Sequence, residues 1–386
     1  MDMKKNILLS MILLALCLIQ ASADTYYFKI QLSNEKGEPE GWSNYIVVSH
    51  DEKQGDWVNG LRELVAGKTV KDEDNKEYTL LNANHEVDLN RIYGIEFANG
   101  KGRGKGGDLK IMEGGEFPAW EQIRTHIKYL DLHEYKLDTY TNSGYFMNMF
   151  KVKELELPKD GMNVGNGDED CQLYFANAGN LKKITIDYVD ITDDAVKDKF
   201  LLDRVGKFMF SNCYGLSTKY INRLIKDVTE IKDNAFRADE GNRDKFSDLV
   251  ADHKMAIEIP NSVTKIGNQA FYNRVKVTGL NIHGNGGLEI GFEAFRGCDE
   301  LANITPDNKE LKIYKNAFRG CKQLNAFESM DKAKITYLGT GVFGDCRSMT
   351  NEFVNDVLKN YAANGGTKIP AYLFFGCNGQ DGHDGS

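Results

Sequence analysis

The chain has 386 residues, of which 41% are hydrophobic and 27% charged, and its formal net charge at pH 7 is −9. This acidic balance argues against binding to nucleic acid or to an anionic membrane surface. A chain of this length can build a continuous core without disulfide staples.

Residues 1–23 have the pattern of a signal peptide. Lys4 and Lys5 form a basic start, residues 7–19 are an apolar run, and Ala21-Ser22-Ala23 provides small residues for cleavage. The apolar run is too short for a good transmembrane helix. We therefore predict cleavage before Asp24, export of the protein, and no transmembrane segment in the mature chain.

Residues 24–119 follow no repeat and favour a small α+β domain or a cap over the first repeat; both possibilities remain open. Alternating apolar residues predict strands, and one amphipathic stretch predicts a short helix with Leu61, Leu64 and Val65 on one side. The predicted strands are 26–32, 45–49, 78–81 and 92–97, and the predicted helix is 57–65.

Two polar stretches match part of a ligand-binding motif but lack the rest of it. Residues 102–107 satisfy GxGxxG, but the next residues, 108–112, favour a strand where a dinucleotide site needs a helix. Residues 166–170 have oxygen ligands at alternating positions, without the glycine and distal glutamate of a calcium loop. The histidines have no zinc-ligand spacing. We therefore expect a hairpin at residues 102–107 and a solvated acidic loop at residues 166–170. We expect the protein to have no cofactor, no metal and no enzymatic activity.

A repeat begins after a predicted helix at 121–127. Strand-like segments recur at 129–133, 152–157 and 181–186, and residues 288–301 and 311–324 share one frame around Ala-Phe. The spacing of the Ala-Phe register varies from 23 to 35 residues, which indicates a solenoid with insertions. The phenylalanines of this register are Phe146, Phe175, Phe210, Phe236, Phe271, Phe295, Phe318, Phe343 and Phe374.

One repeat, residues 257–271, shows the physical basis of the frame. Ile257 and Ile259 alternate with polar residues, as in a strand with one buried face. Gly267 is expected to let the backbone bend, and the pair Ala270-Phe271 is expected to place a small and a large side chain in a stacked core. One coil cannot bury its own apolar edge, so its stability depends on its neighbours.

The cysteines occupy one position of the repeat. Cys298, Cys321 and Cys346, like Cys213 and Cys377, stand where Met149 and Ala178 stand in other coils, so we expect a buried packing site. Neighbouring coils are about 5 Å apart, close enough for a disulfide, but side chains in register point the same way. We therefore expect free thiols.

The full frame, Leu-x-x-Ile-x-Ile-Pro-x-x-Val-Thr-x-Ile-Gly-x-x-Ala-Phe-x-x-Cys, resembles the BspA-like leucine-rich repeat of surface and secreted proteins of Bacteroidetes and other microbes. The resemblance covers residues 120–377, with a polar tail at 378–386. It implies a β-rich leucine-rich repeat solenoid of about nine or ten coils, made of short strands and turns, behind the N-terminal α+β cap or small domain. It also implies adhesion or protein binding without catalysis.

The expected function is therefore that of a secreted or cell-surface binding protein. Its partner would be a host or neighbouring-cell protein or glycan, and the protein would act as a monomer. The alternatives are a carbohydrate-binding accessory protein, with the aromatic-rich N-terminal part binding the sugar, and an enzyme with an unrecognised catalytic domain in residues 24–119.

The binding residues are expected at outward positions of the strands, because successive coils align these positions into one surface. The earlier strands are rich in charge and include an aromatic side chain, a composition that interfaces favour. The later strands offer the small, neutral positions of Asn281, His283, Asn303 and Thr305. The predicted ligand-binding residues are Tyr129, Asp131, His133, Glu154, Glu156 and Lys183.

Overall fold

The computed structural model describes residues 25–51, 56–98, 116–135, 144, 146–162, 174–241, 254–307 and 309–377. The predicted signal peptide, the segments 102–107 and 166–170, and the tail 378–386 lie outside the described residues. The chain divides into two compact units, Met1–Asp138 and Thr139–Ser386.

The first unit is built on a mixed sheet. Strands β1 and β3 form its antiparallel centre, and β8 pairs in parallel with β7. Strand β2 pairs with the other end of β1, and β5 and β6 form a separate hairpin. The strands are β1 (Thr25–Ser33), β2 (Pro39–Trp42), β3 (Ile46–Asp51), β4 (Asp56–Val58), β5 (Val70–Lys71), β6 (Glu77–Tyr78), β7 (Ile92–Ala98) and β8 (Tyr129–Asp131).

The core of this unit lies on one face of the sheet, against helices α1 (Leu61–Val65) and α2 (Glu116–Arg124). Alternation along β1 directs Phe28 and Ile30 into that core, where both are fully buried. The Trp120 ring of α2 packs edge-to-face on Phe97 at 5.2 Å between ring centroids. A single helical turn, Leu89–Arg91, precedes β7.

Both predicted helices of this unit differ from the observed ones in their bounds. The helix expected at 57–65 begins only at Leu61, because Trp57 and Val58 pair with β3. The helix expected at 121–127 begins earlier, at Glu116, and ends at Arg124.

The second unit is a β-solenoid in which most strands pair in parallel with the same strand of the next coil. One series, β12 (Glu230–Ile231), β14 (Lys265–Ile266), β16 (Gly286–Ile290), β18 (Lys309–Ile313) and β20 (Lys334–Leu338), forms one sheet. A second series, β13 (Ala256–Ile259), β15 (Gly279–Ile282), β17 (Asn303–Pro306) and β19 (Ala326–Phe327), forms another. The remaining strands and α-helices are β9 (Glu154–Glu156), β10 (Lys183–Ile186), β11 (Val189–Asp190), α3 (Thr218–Leu224) and α4 (Asn351–Ala363), with short 3-10 helices at Asp194–Val196 and Met330–Lys332.

The phenylalanines of the Ala-Phe register form a continuous stack, as predicted. In the described part of the chain, nine rings follow one another at 5.0–6.1 Å between centroids, and adjacent ring planes differ by 5–25°. Phe271, Phe295, Phe318 and Phe343 are fully buried, and the terminal Phe374 is half-buried. The solenoid has about seven turns, fewer than the nine or ten coils expected, so nine rings do not correspond to nine complete coils.

A left-handed backbone conformation explains which residues occupy the position two after the phenylalanine in the repeat frame. The residue two positions after the phenylalanine has positive φ in most coils, including 73° at Gly297 and 74° at Gly320. Glycine, asparagine and aspartate tolerate this conformation better than other residues, and they occupy the position elsewhere. The other occupants with positive φ are Asn148, Asn177, Asn212, Asn273, Asp345 and Gly376.

The glycine of the Ile-Gly pair has a different role from the one expected. Gly267 and Gly291 do not have positive φ, so neither is needed for an unusual bend. A Cβ at Gly291 would instead lie 2.7 Å from the Gly267 carbonyl carbon of the preceding coil. The glycine therefore permits a close approach of backbones between coils.

The cysteine position is a hydrogen-bonding site as well as a packing site. The five described cysteines are buried thiols, and each Sγ lies 3.1–3.3 Å from the carbonyl oxygen of the stacked phenylalanine one coil earlier. Arg274 takes this position in one coil, and its Nε donates to the Phe236 carbonyl at 2.7 Å. Where cysteine or Arg274 occupies this position, its side chain therefore also donates a hydrogen bond to the previous coil, whereas Met149 and Ala178 fill the position by packing alone.

Candidate functional site

Three predicted site residues lie on or just after β8, in the first unit. The Tyr129 hydroxyl donates to Asp131 Oδ2 at 3.2 Å, and the His133 backbone N–H donates to Asp131 Oδ1 at 2.9 Å. Asp131 is only 2% exposed, so its predicted outward, solvent-facing position is wrong: the carboxylate folds back to accept these local bonds. The His133 side chain is 15% exposed, with Nε2 3.6 Å from Glu134 Oε1.

The other three predicted residues lie on β9 and β10, in the second unit. Glu154 and Lys183 stand opposite each other on paired strands and form an ion pair of 3.2 Å, with both side chains nearly half exposed. These two residues are on the surface, as the strand alternation predicted. Because the pair is exposed, it contributes little to stability and is available for contacts.

Glu156 is fully buried, so its predicted outward position is wrong. The physical reason is the tight turn between β10 and β11, whose Tyr188 backbone N–H donates to Glu156 Oε1 at 3.1 Å. The Thr185 hydroxyl also donates to this carboxylate. Glu156 of β9 therefore stabilises the turn through these hydrogen bonds.

The turn itself consists of Asp187 and Tyr188, both in the left-handed conformation, with φ of 50° and 61°. Two left-handed residues between antiparallel strands are typical of a tight hairpin turn, which usually takes Asn-Gly. A tyrosine is uncommon there, and Tyr188 is 59% exposed. The turn therefore presents a large aromatic side chain on a fixed backbone.

Further contacts hold the surroundings of the turn. The Lys199 ammonium pairs with Asp187, and the Asp190 carboxylate accepts from the Tyr220 hydroxyl at 2.5 Å and from the Thr192 N–H at 2.9 Å. Burial opposes ionisation of Asp190, but these hydrogen bonds outweigh it and lower the pKa of its carboxyl. We call Glu154, Lys183, Asp187, Tyr188 and Lys199 the turn patch.

The later strands present a second polar surface, on β13, β15, β17 and β19. Glu258 accepts from the Asn281 amide at 2.8 Å and contacts His283 Nε2 at 2.7 Å, while His283 Nδ1 lies 3.6 Å from Asp307. Glu328 likewise accepts from Asn303 and Thr305. The expectation of a neutral surface here is wrong, because acidic neighbours on adjacent strands bind these side chains.

Two candidate binding residues, Glu258 and Tyr188, are missing from the sequence-based prediction, and only Glu258 had a signal that could have identified it. Glu258 stands between Ile257 and Ile259, so the strand alternation already marked it as outward. Tyr188 had no such signal, because Asp187-Tyr188 is not one of the dipeptides that predict a hairpin turn.

The described residues contain no group of three or more His, Cys, Asp or Glu side chains placed to hold a metal ion. Within the same residues, no helix combines the length and apolar character needed to cross a membrane. What the second unit offers chemically is a polar surface whose side chains are fixed by bonds between coils.

Comparison with known proteins identifies the class. The sequence profile of the BspA type leucine rich repeat region matches residues 124–242 and 253–380, in six copies. These residues are more than half of the chain, which therefore belongs to the BspA-type leucine-rich repeat family. A search of curated proteins found no match.

A search of solved structures matched several bacterial leucine-rich repeat proteins. One from T. pallidum is 15% identical, with a TM-score of 0.35, over 80% of this chain and 96% of that one. One from Bacteroides ovatus is 17% identical, with a TM-score of 0.26, over 58% and 66% of the two chains. A leucine-rich cell surface protein from Faecalibacterium prausnitzii is 16% identical, with a TM-score of 0.26, over 56% and 72%.

Proposed function

We propose that this chain is an exported, non-enzymatic binding protein that recognises a protein partner through the turn patch of its solenoid. The observation that carries the proposal is Tyr188, an aromatic side chain 59% exposed on a turn of two left-handed residues. Exposed tyrosines on rigid backbone contribute strongly to protein interfaces, because they bury a large area at low entropic cost.

The charges around Tyr188 favour a protein surface as the ligand. Glu154 with Lys183 and Asp187 with Lys199 form two ion pairs, so the patch combines an aromatic anchor with both signs of charge. Charged groups at the rim of an interface determine orientation and exclude wrong partners. The strained backbone at Tyr188 supports the same interpretation, since strained residues cluster at binding sites.

Export is supported by the N-terminal pattern of residues 1–23 and by membership of a family found on microbial surfaces. The partner would then be a protein of a host or a neighbouring cell, and adhesion would be the role of the contact. A repeat protein suits this role because its surface is long, regular and supported from behind by a continuous core.

The test uses the mature chain, residues 24–386, immobilised and exposed to host matrix proteins and to surface proteins of neighbouring cells. For each captured protein, the affinity is measured for the wild type and for Tyr188→Ala. We expect the substitution to weaken binding by about tenfold or more, as for an interface anchor. Tyr372→Ala is the matched control, since Tyr372 is also an exposed tyrosine (58%) of the second unit.

Equal affinity of Tyr188→Ala and Tyr372→Ala for every captured protein would contradict the proposal. Mass spectrometry of the captured proteins after prolonged incubation addresses the enzymatic alternative. A covalent change that depends on the chain would show catalysis.

A further inference from the structure

The sheet of the first unit has a second face, opposite its core, which is neither apolar nor fully exposed. Alternation along β1 places Tyr27, Lys29 and Gln31 on this face. The strand register aligns Gln31 with Trp42 of β2 and with Gly94 of β7, and Gly94 in turn with Tyr129 of β8. One row of side chains thus crosses four strands.

A second row runs beside the first. Lys29 of β1 stands opposite Glu96 of β7, and Glu96 stands opposite Asp131 of β8. Lys29 Nζ lies 2.9 Å from Glu96 Oε2 and 4.3 Å from the centre of the Tyr45 ring. The charge and hydrogen bond of Glu96 outweigh the effect of burial and raise the pKa of Lys29, so this ammonium group stays charged and paired.

Aromatic rings flank both rows. Trp42 and Tyr129 meet at 5.8 Å between centroids with ring planes at 62°, and Tyr27 and Tyr45 meet at 6.2 Å and 83°. Gly94 makes room for the first pair, since a Cβ there would lie 3.1 Å from the Trp42 ring. These four rings are half-buried, so each keeps part of its surface open to a ligand.

Buried carboxylates determine which way the hydroxyl groups point. Glu96 is 4% exposed and accepts from the Tyr45 hydroxyl at 3.3 Å, while Asp131 is 2% exposed and accepts from the Tyr129 hydroxyl at 3.2 Å. Each tyrosine proton is therefore directed inward, and its oxygen presents lone pairs outward. Burying a carboxylate is costly unless it is hydrogen-bonded, so such a layer beneath a surface fixes the groups above it.

The side-chain amide of Gln31 provides a further hydrogen-bond acceptor on this face. Its Nε2 donates to the Glu40 carbonyl oxygen at 2.7 Å, and its Oε1, an acceptor, lies beside Gly94, 3.4 Å from where a Cβ of that residue would be. The face therefore has acceptors at Gln31, Tyr45 and Tyr129, together with the paired ammonium group of Lys29. We call Tyr27, Lys29, Gln31, Trp42, Tyr45 and Tyr129, with the buried Glu96 and Asp131, the aromatic face.

We propose that the aromatic face binds a neutral oligosaccharide. Sugar hydroxyls donate to fixed acceptors, and the apolar C–H faces of a sugar ring stack on aromatic rings. Strands lie about 4.8 Å apart, comparable to the length of one hexose unit, so successive sugars of an oligosaccharide laid across the sheet would lie over successive strands of one row. The recessed carboxylates disfavour an acidic glycan, and their burial places them out of reach of a bulky basic side chain of a protein.

The test screens the mature chain on an array of neutral gluco-, manno-, xylo- and galacto-oligosaccharides, with heparin and hyaluronan fragments as acidic arms. Calorimetry with the neutral hexasaccharide that binds best then compares three variants with the wild type. We expect Trp42→Ala to weaken binding by about tenfold or more, the effect of losing an aromatic anchor. Tyr129→Phe keeps the ring, removes the acceptor, and should weaken binding less but measurably.

Tyr188→Ala is the control, because it removes an exposed tyrosine from the turn patch and should leave sugar affinity unchanged. It also distinguishes the two proposals, because Tyr188→Ala should weaken protein binding and Trp42→Ala should weaken sugar binding. Far-UV circular dichroism and thermal unfolding establish that each variant is folded, and Tyr129→Phe provides the result if Trp42→Ala unfolds. Absence of binding to every neutral glycan, preference for the acidic arms, or full affinity in Tyr129→Phe and Trp42→Ala would overturn the proposal.

Discussion

The stacked phenylalanine core allows a quantitative test through Phe295→Ala. The Phe295 ring is fully buried between Phe271, at 5.0 Å between centroids, and Phe318, at 5.5 Å. Removing a buried phenylalanine ring typically lowers the free energy of unfolding by about 3–5 kcal/mol. The substitution would leave an Ala-sized side chain in the middle of the stack.

The structure places the expected loss in the upper part of that range. Backbone hydrogen bonds of 2.8 Å hold the coils on both sides, from Phe271 N–H to the Ala294 oxygen and from Phe295 N–H to the Ala317 oxygen. The neighbours therefore cannot collapse into the cavity, and poor collapse makes such cavities costly. Two stacked ring contacts are also lost, each worth about 0.5–1.5 kcal/mol. We expect a loss of about 4–5 kcal/mol.

Urea unfolding followed by far-UV circular dichroism measures this loss. Phe292→Ala is the matched control, because Phe292 lies in the same coil but is 37% exposed, and its loss should cost about 1 kcal/mol or less. The reasoning fails if the two variants unfold at the same urea concentration. Equal stability of the two variants would mean that Phe295 does not pack in the core.

Three further predictions concern the other positions of the repeat. Ala294→Leu should lower the free energy of unfolding by about 1–3 kcal/mol in the same urea assay, because Ala294 is fully buried beside the stack; unchanged stability would contradict this. Gly320→Asn should be nearly neutral and Gly320→Val should cost about 1–2 kcal/mol, since φ at Gly320 is 74°, and equal stability of the two would refute the backbone argument. The buried cysteines should react with a thiol reagent only after denaturation, because burial raises the pKa of Cys213 to about 12 and also raises that of Cys321. Reaction in the folded protein would contradict this, and a Cys298–Cys321 disulfide peptide would contradict the expectation of free thiols.

Much of the second unit could be predicted from the sequence because its contacts repeat. Residues 288–301 and 311–324 pair with their counterparts in adjacent coils, so one local pattern specifies both the strand and its neighbour. The burial of Phe295 and Phe318 follows from that pattern, as does the surface position of Glu154 and Lys183. In a solenoid, each coil meets mainly its neighbours, and periodicity therefore carries tertiary information.

The cysteine position shows where the same reasoning stopped short. The sequence indicated a small buried side chain, which is correct for Cys298 and Cys321. Arg274 contradicts a purely apolar requirement, and only the structure shows its Nε on the Phe236 carbonyl. Arg274 and the cysteines share a donor directed at the preceding coil, and that contact depends on the distance between backbones, which the sequence pattern does not give.

Only the tertiary structure showed which side chains complete the two candidate binding surfaces. Glu156 and Asp131 occupy alternating positions of strands, where local pattern predicts exposure, yet a turn and neighbouring hydroxyl groups cover them. The aromatic face depends on β1 pairing with β7, and the Lys29–Glu96 contact joins residues 67 positions apart. No period in the sequence encodes such a contact, because the first unit has no repeat. Which side chains meet there depends on strand register, and register is determined only when the whole sheet is assembled.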